Sequence, residues 1–295
     1  SSSIVPLPAI LRKFFYHFPL HTYPPIPPPQ PYGAQATSPT LWISPPRQHF
    51  ATDPSANVLS ADVECLKWQA YLALRGVSEV ALRWDVNPAG APGARLPALQ
   101  VPGISRSVLA AREIPTWVDA KLGRDDDGNE FEGYLDAKAR DESRAWVALL
   151  EGAVHAALIL HNGQPPSESA WTALLWSPIQ SAPSSLAALL TPPPPPLSGL
   201  TSLLPPYGER ISPSNIQLQY QTAIVSLSDR LGTDKWFLGS SGPTALDALI
   251  FAYLHTLLNA PGPLRIEVNK RANLVAWELR VRGIVQPAFH IASRS

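Results

Sequence analysis

Proline partitions this chain before any other signal does. There are 34 prolines among 295 residues, about twice the usual share, and they are unevenly spread. In the first 38 residues proline recurs at positions 6, 8, 19, 24, 25, 27, 28, 29 and 31. A second concentration, including Pro192–Pro196, lies in a Pro/Ser/Leu-rich stretch at 177–213. Proline fixes φ and has no N–H, so neither stretch can run as a long helix or a central strand. Residues 1–38 therefore read as an extended, proline-rich arm, and 177–213 as a surface insert. Regular structure is confined to two windows, 39–122 and 138–285. Between them lies an acidic linker, 123–137, and after them a tail, 286–295. The Asp125–Asp127 triplet in the linker lacks the alternating ligands and distal glutamate of a calcium loop.

The first window alternates strand and helix. Thr40–Ser44 (TLWIS) reads as a strand. Ser60 can cap a helix, with Asp62 and Glu64 in the first turn. Leu59, Val63, Leu66, Ala70 and Leu74 follow helical spacing, and Gly76 ends the helix. Val80–Val86 and Leu96–Val101 read as further strands. Val108–Leu122 reads as a helix broken or started near Pro115. The second window is all helical. Its apolar stripes are Trp146, Leu149, Leu150, Ala153, Ala157 and Leu160; then Ile216, Tyr220, Ala223, Ile224, Leu227 and Leu231; then Leu246, Leu249, Ile250, Tyr253, Leu254, Leu257 and Leu258.

Composition removes several function classes. Lys plus Arg and Asp plus Glu both total 23, so the net charge is zero and no nucleic-acid partner is expected. Cys65 is the one cysteine and cannot form an intramolecular disulfide, which fits a reducing compartment. No methionine occurs, which reads as a processed or trimmed start. No Cys/His cluster has metal-ligand spacing and no glycine-rich phosphate loop is present, so no metal or cofactor is expected. A membrane span needs ~20 apolar residues in a row. Ala145–Leu160 is interrupted by Glu151 and His155, and Ala245–Leu258 carries Asp247. Any membrane association is thus expected to be peripheral. The arm supplies candidate contact residues. Arg12 and Lys13 adjoin Phe14, Phe15, Tyr16 and Phe18, and the first acidic residue is Asp53.

Two local signals sharpen the fold. In WFLGSSGPTALDALIFAYL (236–254), Thr244 is placed to cap a helix with Asp247 three residues on, a capping box with aspartate in place of glutamate. In Leu96-Pro97-Ala98-Leu99, a proline precedes a strand, a place compatible with a cis bond. The order strand–helix–strand–Pro–strand–helix, then an all-helical half, resembles glutathione transferases. The fold expected is α/β plus all-α: an N-terminal thioredoxin-like domain and a C-terminal helical domain. Pro97, Thr244 and Asp247 are its structural residues.

Within that superfamily the chain resembles the metaxin family. The resemblance rests on SADVECLKWQAYLALRG (60–76), DESRAWVALLEGAVHAALIL (141–160), GPTALDALIFAYLHTLL and RANLVAWELRVR, in that order, and on the leading FPLHTYPPIPPP. It is closest to the smaller, metaxin-2-like subunit of the fungal mitochondrial sorting and assembly machinery. That resemblance implies a cytosol-facing place on the mitochondrial outer membrane. It implies as partners a membrane-embedded β-barrel insertase subunit, a second metaxin-like subunit and β-barrel precursor proteins.

The alternative is a glutathione-dependent transferase. Such enzymes place Tyr, Ser or Cys just after the first strand, near a helix N-terminus. Here that strand runs into Pro45 and Pro46. Cys65 reads as lying beyond the first helical turn, as a small core residue. The acid–Ser pair that holds glutathione is missing from VPGISRS, which has no acid before Ser105 or Ser107. The expectation is therefore a non-enzymatic protein. Deleting residues 1–38 should leave a folded, soluble remainder that associates more weakly with partner or membrane. Loss of the folded circular dichroism spectrum in the deletion protein would instead make the arm part of the core.

Overall fold

The computed structural model describes residues 38–46, 58–102, 108–123, 133–163, 212–260 and 262–292. The contact residues Arg12, Lys13, Phe14, Phe15, Tyr16 and Phe18, and nearly all of the insert at 177–213, lie outside the described residues.

Strand β1 (Thr40–Trp42) is the centre of a five-stranded sheet. Leu41 and Ile43 are fully buried while Trp42 and Ser44 are partly exposed, the period-2 alternation of a strand. Helix α1 (Val63–Leu74) crosses over to β2 (Val80–Arg83), which lies parallel to β1 with Leu41 opposite Leu82. Ser60 does not cap α1, contrary to expectation. Asp62 does, its Oδ2 accepting from Cys65 N at 2.9 Å, while the Ser60 hydroxyl, just before the helix, donates to Ser44 O at 2.8 Å and accepts from Asp62 N at 3.2 Å. At the other end Gly76 adopts φ 88°. Gly76 N donates to Ala73 O and Val77 N to Leu72 O, the paired bonds of a Schellman motif.

The Leu96–Pro97 bond is cis and leads into β3 (Ala98–Gln100), antiparallel to β1. The stretch expected as one helix from Val108 divides. Val108–Ala110 is strand β4, antiparallel to β3; Ala111–Glu113 is a 3-10 turn; and helix α2 runs from Ile114 to Leu122. Pairing of Ala98 with Ala110 claims the first residues for the sheet, and the Glu113 carboxylate marks the turn by accepting from Ala110 N at 2.9 Å. Pro115 falls in the first helical turn, where its missing N–H costs nothing.

The helical half comprises α3 (Ala137–Leu149), a π turn (Leu150–Val154), α4 (His155–Gly163), α5 (Pro213–Leu231), α6 (Ala245–Leu258), α7 (Pro263–Asn269) and α8 (Ala272–Val285). The first apolar stripe is displaced from its expected positions. The π turn inserts an extra residue, so Val154 and Leu158 join Leu150, Ala157 and Leu160 in burial while Leu149 and Ala153 are only half-buried. The merged helix Ala137–His161 is long and apolar enough to cross a membrane by length and composition, a property that the count of uninterrupted apolar residues missed. A core helix passes the same test, and Leu150, Val154, Ala157 and Leu158 belong to the core here.

The expected tail is structured. Gln286–Ala288 form a 3-10 turn and Phe289–Ile291 form strand β5, parallel to β2 at the sheet edge, giving the order β4-β3-β1-β2-β5. Three residues are too few for alternation to announce a strand.

Helix α6 joins the halves. Eleven of its fourteen residues are buried, and α1, α7 and α8 all pack on it. A helix that is apolar all round must be enclosed. Its start is held by the capping box. Thr244 N and Thr244 Oγ1 donate to Asp247 Oδ2 at 2.8 and 2.7 Å, and Phe237 N donates to Asp247 Oδ1 at 2.9 Å. The third of these binds the preceding turn, where Leu238 sits at φ 61° and Gly239 at φ 69°.

Burial is the largest influence on the Asp247 carboxyl and holds it above its ordinary range, against the opposing pull of these hydrogen bonds. A folded-state pKa above the unfolded ~3.9 means that the folded chain binds this proton more readily. The contribution is therefore fully present below ~pH 4 and declines as pH rises through the folded value. Asp247→Asn removes the titration but offers one oxygen to donors that approach both carboxylate oxygens. It should destabilise the fold by ~1–3 kcal/mol in thermal melts, with the gap to wild type narrowing as pH rises from ~3 to ~6. Identical melting at every pH would contradict this role for the cap.

Candidate functional site

The corner where β1 meets the start of α1 is the place to look for chemistry, because strand ends and a helix N-terminus converge there. Its backbone is closed by side chains. Ser44–Pro46 turn back on Val58–Ala61 through a Pro46–Ser60 bridge and an Ala61 N to Pro45 O bond of 3.3 Å. Gln69, fully buried on α1, accepts from Ser60 N and donates to Val58 O, each at 2.9 Å. Two backbone groups that would otherwise be orphaned are satisfied by one side chain.

Cys65 sits third in α1, inside the first turn, so the expectation that it lies beyond that turn is corrected. The helix dipole does reach it there, yet it does not make a thiolate. Burial pushes the thiol up to about 12; the Ser44 backbone N–H, 3.4 Å from Sγ, opposes this, and the Asp62 charge adds to it. At neutral pH Cys65 is a protonated core residue rather than a nucleophile. Its Sγ points to Ser44 Oγ at 3.7 Å. Ser44 is a hydroxyl at this corner that the sequence does not single out, because it reads only as the last residue of a strand before Pro45 and Pro46. It is half-buried, and among the described residues no histidine or carboxylate bonds its Oγ. Such a hydroxyl can donate a hydrogen bond but has no base to activate it. Residues 103–107, where a glutathione-holding pair was sought, lie outside the described residues.

The other sequence-flagged residues do not gather at this corner. Pro97 precedes β3, while Thr244 and Asp247 cap α6. Several basic side chains near the C-terminus are engaged in pairs or bonds. Lys270 pairs with Glu267 at 2.7 Å, Arg282 lies 3.6 Å from Glu278, and Arg280 bonds Lys235 O while its guanidinium lies over the Trp236 ring.

A dyad on α6 and α8, Glu278 buried and His255 half-buried, was invisible in the sequence, since its members are distant along the chain. His255 Nδ1 is 2.7 Å from Glu278 Oε1, and Phe251 stacks on the imidazole. Asn259 Nδ2 donates to His255 O at 2.8 Å, which identifies it as the amide nitrogen, and it also lies 3.2 Å from Nε2. Both ring nitrogens are thus engaged, and the dyad ties α6 to α8 rather than presenting a base. No group of three or more His, Cys, Asp or Glu side chains among the described residues is arranged to hold a metal ion.

Comparison with known proteins agrees with this architecture. Residues 220–281 match the family model of the glutathione S-transferase C-terminal domain. A metaxin-1 homolog from Caenorhabditis briggsae is 41% identical over 68 residues, which is 22% of this chain and 22% of the relative's own length. Among solved structures, a glutathione S-transferase from Methylobacterium radiotolerans, crystallised with glutathione sulfonate, superposes with a TM-score of 0.50 at 13% identity. That superposition covers 88% of this chain and 98% of the other. At that identity the likeness concerns the fold. The chain therefore has a glutathione-transferase-like fold, with a mixed thioredoxin-like sheet domain followed by an all-helical domain.

Proposed function

We propose that this chain is a non-enzymatic, peripheral subunit of the mitochondrial outer-membrane sorting and assembly machinery. It sits on the cytosolic face and corresponds to the smaller, metaxin-2-like subunit. There it helps to recognise the sorting signal of β-barrel precursors and to insert them. The observation that supports a metaxin-like protein is the 41% identity over 68 residues to a metaxin-1 homolog on a transferase-like fold; the assignment to the metaxin-2-like subunit rests on the resemblance of the sequence motifs. The closed corner at Cys65 supports the absence of chemistry, since its thiol is both buried and protonated. The partners are the membrane-embedded β-barrel insertase subunit, a second metaxin-like subunit and the precursors themselves.

A glutathione-dependent transferase is the second reading. It is favoured by one observation, the Ser44 hydroxyl at the exit of β1. The two readings part in mitochondria. Depleting the protein and then importing a barrel precursor and a matrix precursor should block barrel assembly while matrix import largely persists. Normal barrel assembly after depletion would overturn the proposal.

A further inference from the structure

The last two helices carry an inference that rests on the transport reading and makes its membrane contact specific. We propose that the outer face of α7 and α8 docks directly on an anionic phospholipid surface. Lipid headgroups, and not protein partners alone, then hold this chain at the membrane.

The segment 262–292 separates its charges by depth. Its two acids, Glu267 and Glu278, are 7% and 2% exposed. Its five bases, Arg265, Lys270, Arg271, Arg280 and Arg282, are all at least partly exposed. Lys270 and Arg282 answer the two acids. Among the described residues Arg265, Arg271 and Arg280 make no ion pair. The partner of Arg280 is a neutral carbonyl, Lys235 O, which places the guanidinium without neutralising it. The outer face is thus cationic and shows no exposed acid.

The same segment is apolar at its surface. Ile266, Leu279, Ile284 and Ile291 are four of the eight large apolar side chains exposed among the described residues, so such groups concentrate here. On α8 both properties share one stripe. Leu274, Trp277, Val281 and Val285 are buried in the core, while Ala276, Leu279, Arg280, Gly283 and Ile284 are exposed. At 100° per residue these five fall within an arc of about 140° opposite the buried side. α7 adds Arg265 and Ile266, both exposed. A lone exposed leucine means little. Apolar groups set among unopposed cations suit an anionic interface, where the apolar groups enter the headgroup boundary and the cations meet the phosphates. The outer side of α3 is different in kind, because Lys138, Asp141 and Arg144 expose both signs together. The zero net charge of the whole chain therefore conceals a local asymmetry.

The test is flotation of the purified full chain with phosphatidylcholine vesicles, prepared with and without phosphatidylserine. The chain should float with the phosphatidylserine vesicles, and added salt should release it by screening the attraction. Arg265→Gln and Arg280→Gln should each lower the partition coefficient about fivefold, the effect of losing one cation near an anionic leaflet. Arg265→Gln keeps the test decisive if loss of the Lys235 bond unfolds the Arg280 variant. Leu279→Gln should weaken binding without changing its salt dependence. Arg144→Gln, which removes the same charge from α3, should leave binding unchanged. Equal flotation with both kinds of vesicle, no flotation, or an equal loss in Arg144→Gln and Arg265→Gln would each overturn the proposal. So would a dimer in sedimentation that Leu279→Gln abolishes, since a second copy would then cover the stripe. Lipid binding alongside normal barrel assembly after depletion would fail the transport reading and leave the lipid surface standing. Failed assembly without lipid binding would do the reverse.

Discussion

Helix α6 has almost no solvent face, and everything around it follows from that. Neither half of the chain can enclose such a helix alone, so α1 of the sheet domain and α7 and α8 of the helical domain all close on it. The burial that makes α6 a good centre also leaves its first N–H groups without water. The capping box answers for two of them, Thr244 Oγ1 accepting from Asp247 N and Asp247 Oδ2 from Thr244 N, while Asp247 Oδ1 accepts from Phe237 N of the preceding turn. The same carboxylate accepts from Phe237, the residue before the left-handed Leu238 and Gly239, and so ties that turn to the start of α6. The His255–Glu278 pair and the Tyr220 hydroxyl, 2.7 Å from Leu264 O, extend this pattern. Buried polar groups here serve to fix one helix against another.

Much of this was legible in the sequence because it follows local rules. The box Thr244–Asp247 is a spacing, Gly76 is a conformational requirement, and the helical stripes of α5 and α6 are periodicities. What escaped depends on distant partners. Ser60 looks like a cap but sits just before the helix, its hydroxyl and N–H bonded to Ser44 and Gln69. Val108–Ala110 looks helical until β3 recruits it, and the π turn at Leu150 shifts a stripe that assumed a constant period. β5 could not be seen at all, since only the presence of β2 makes three residues a strand.

The candidate site shows the same division. Cys65 is the core residue that its sequence context suggests, though for a different reason: it lies within reach of the helix dipole and is silenced by burial instead. The fold that carries catalysis in its structural relatives thus has its first-strand corner filled by Cys65, Gln69 and Ser60, with Ser44 at the rim.

The proposal that this chain works by contact rather than by chemistry can be put to the purified protein directly. Glutathione conjugation to a standard electrophile, measured alongside calorimetric titration with glutathione, should give no turnover above the uncatalysed rate and no saturable heat. The Ser44→Ala variant should behave identically. Turnover at ordinary transferase rates that is lost in Ser44→Ala would contradict the account.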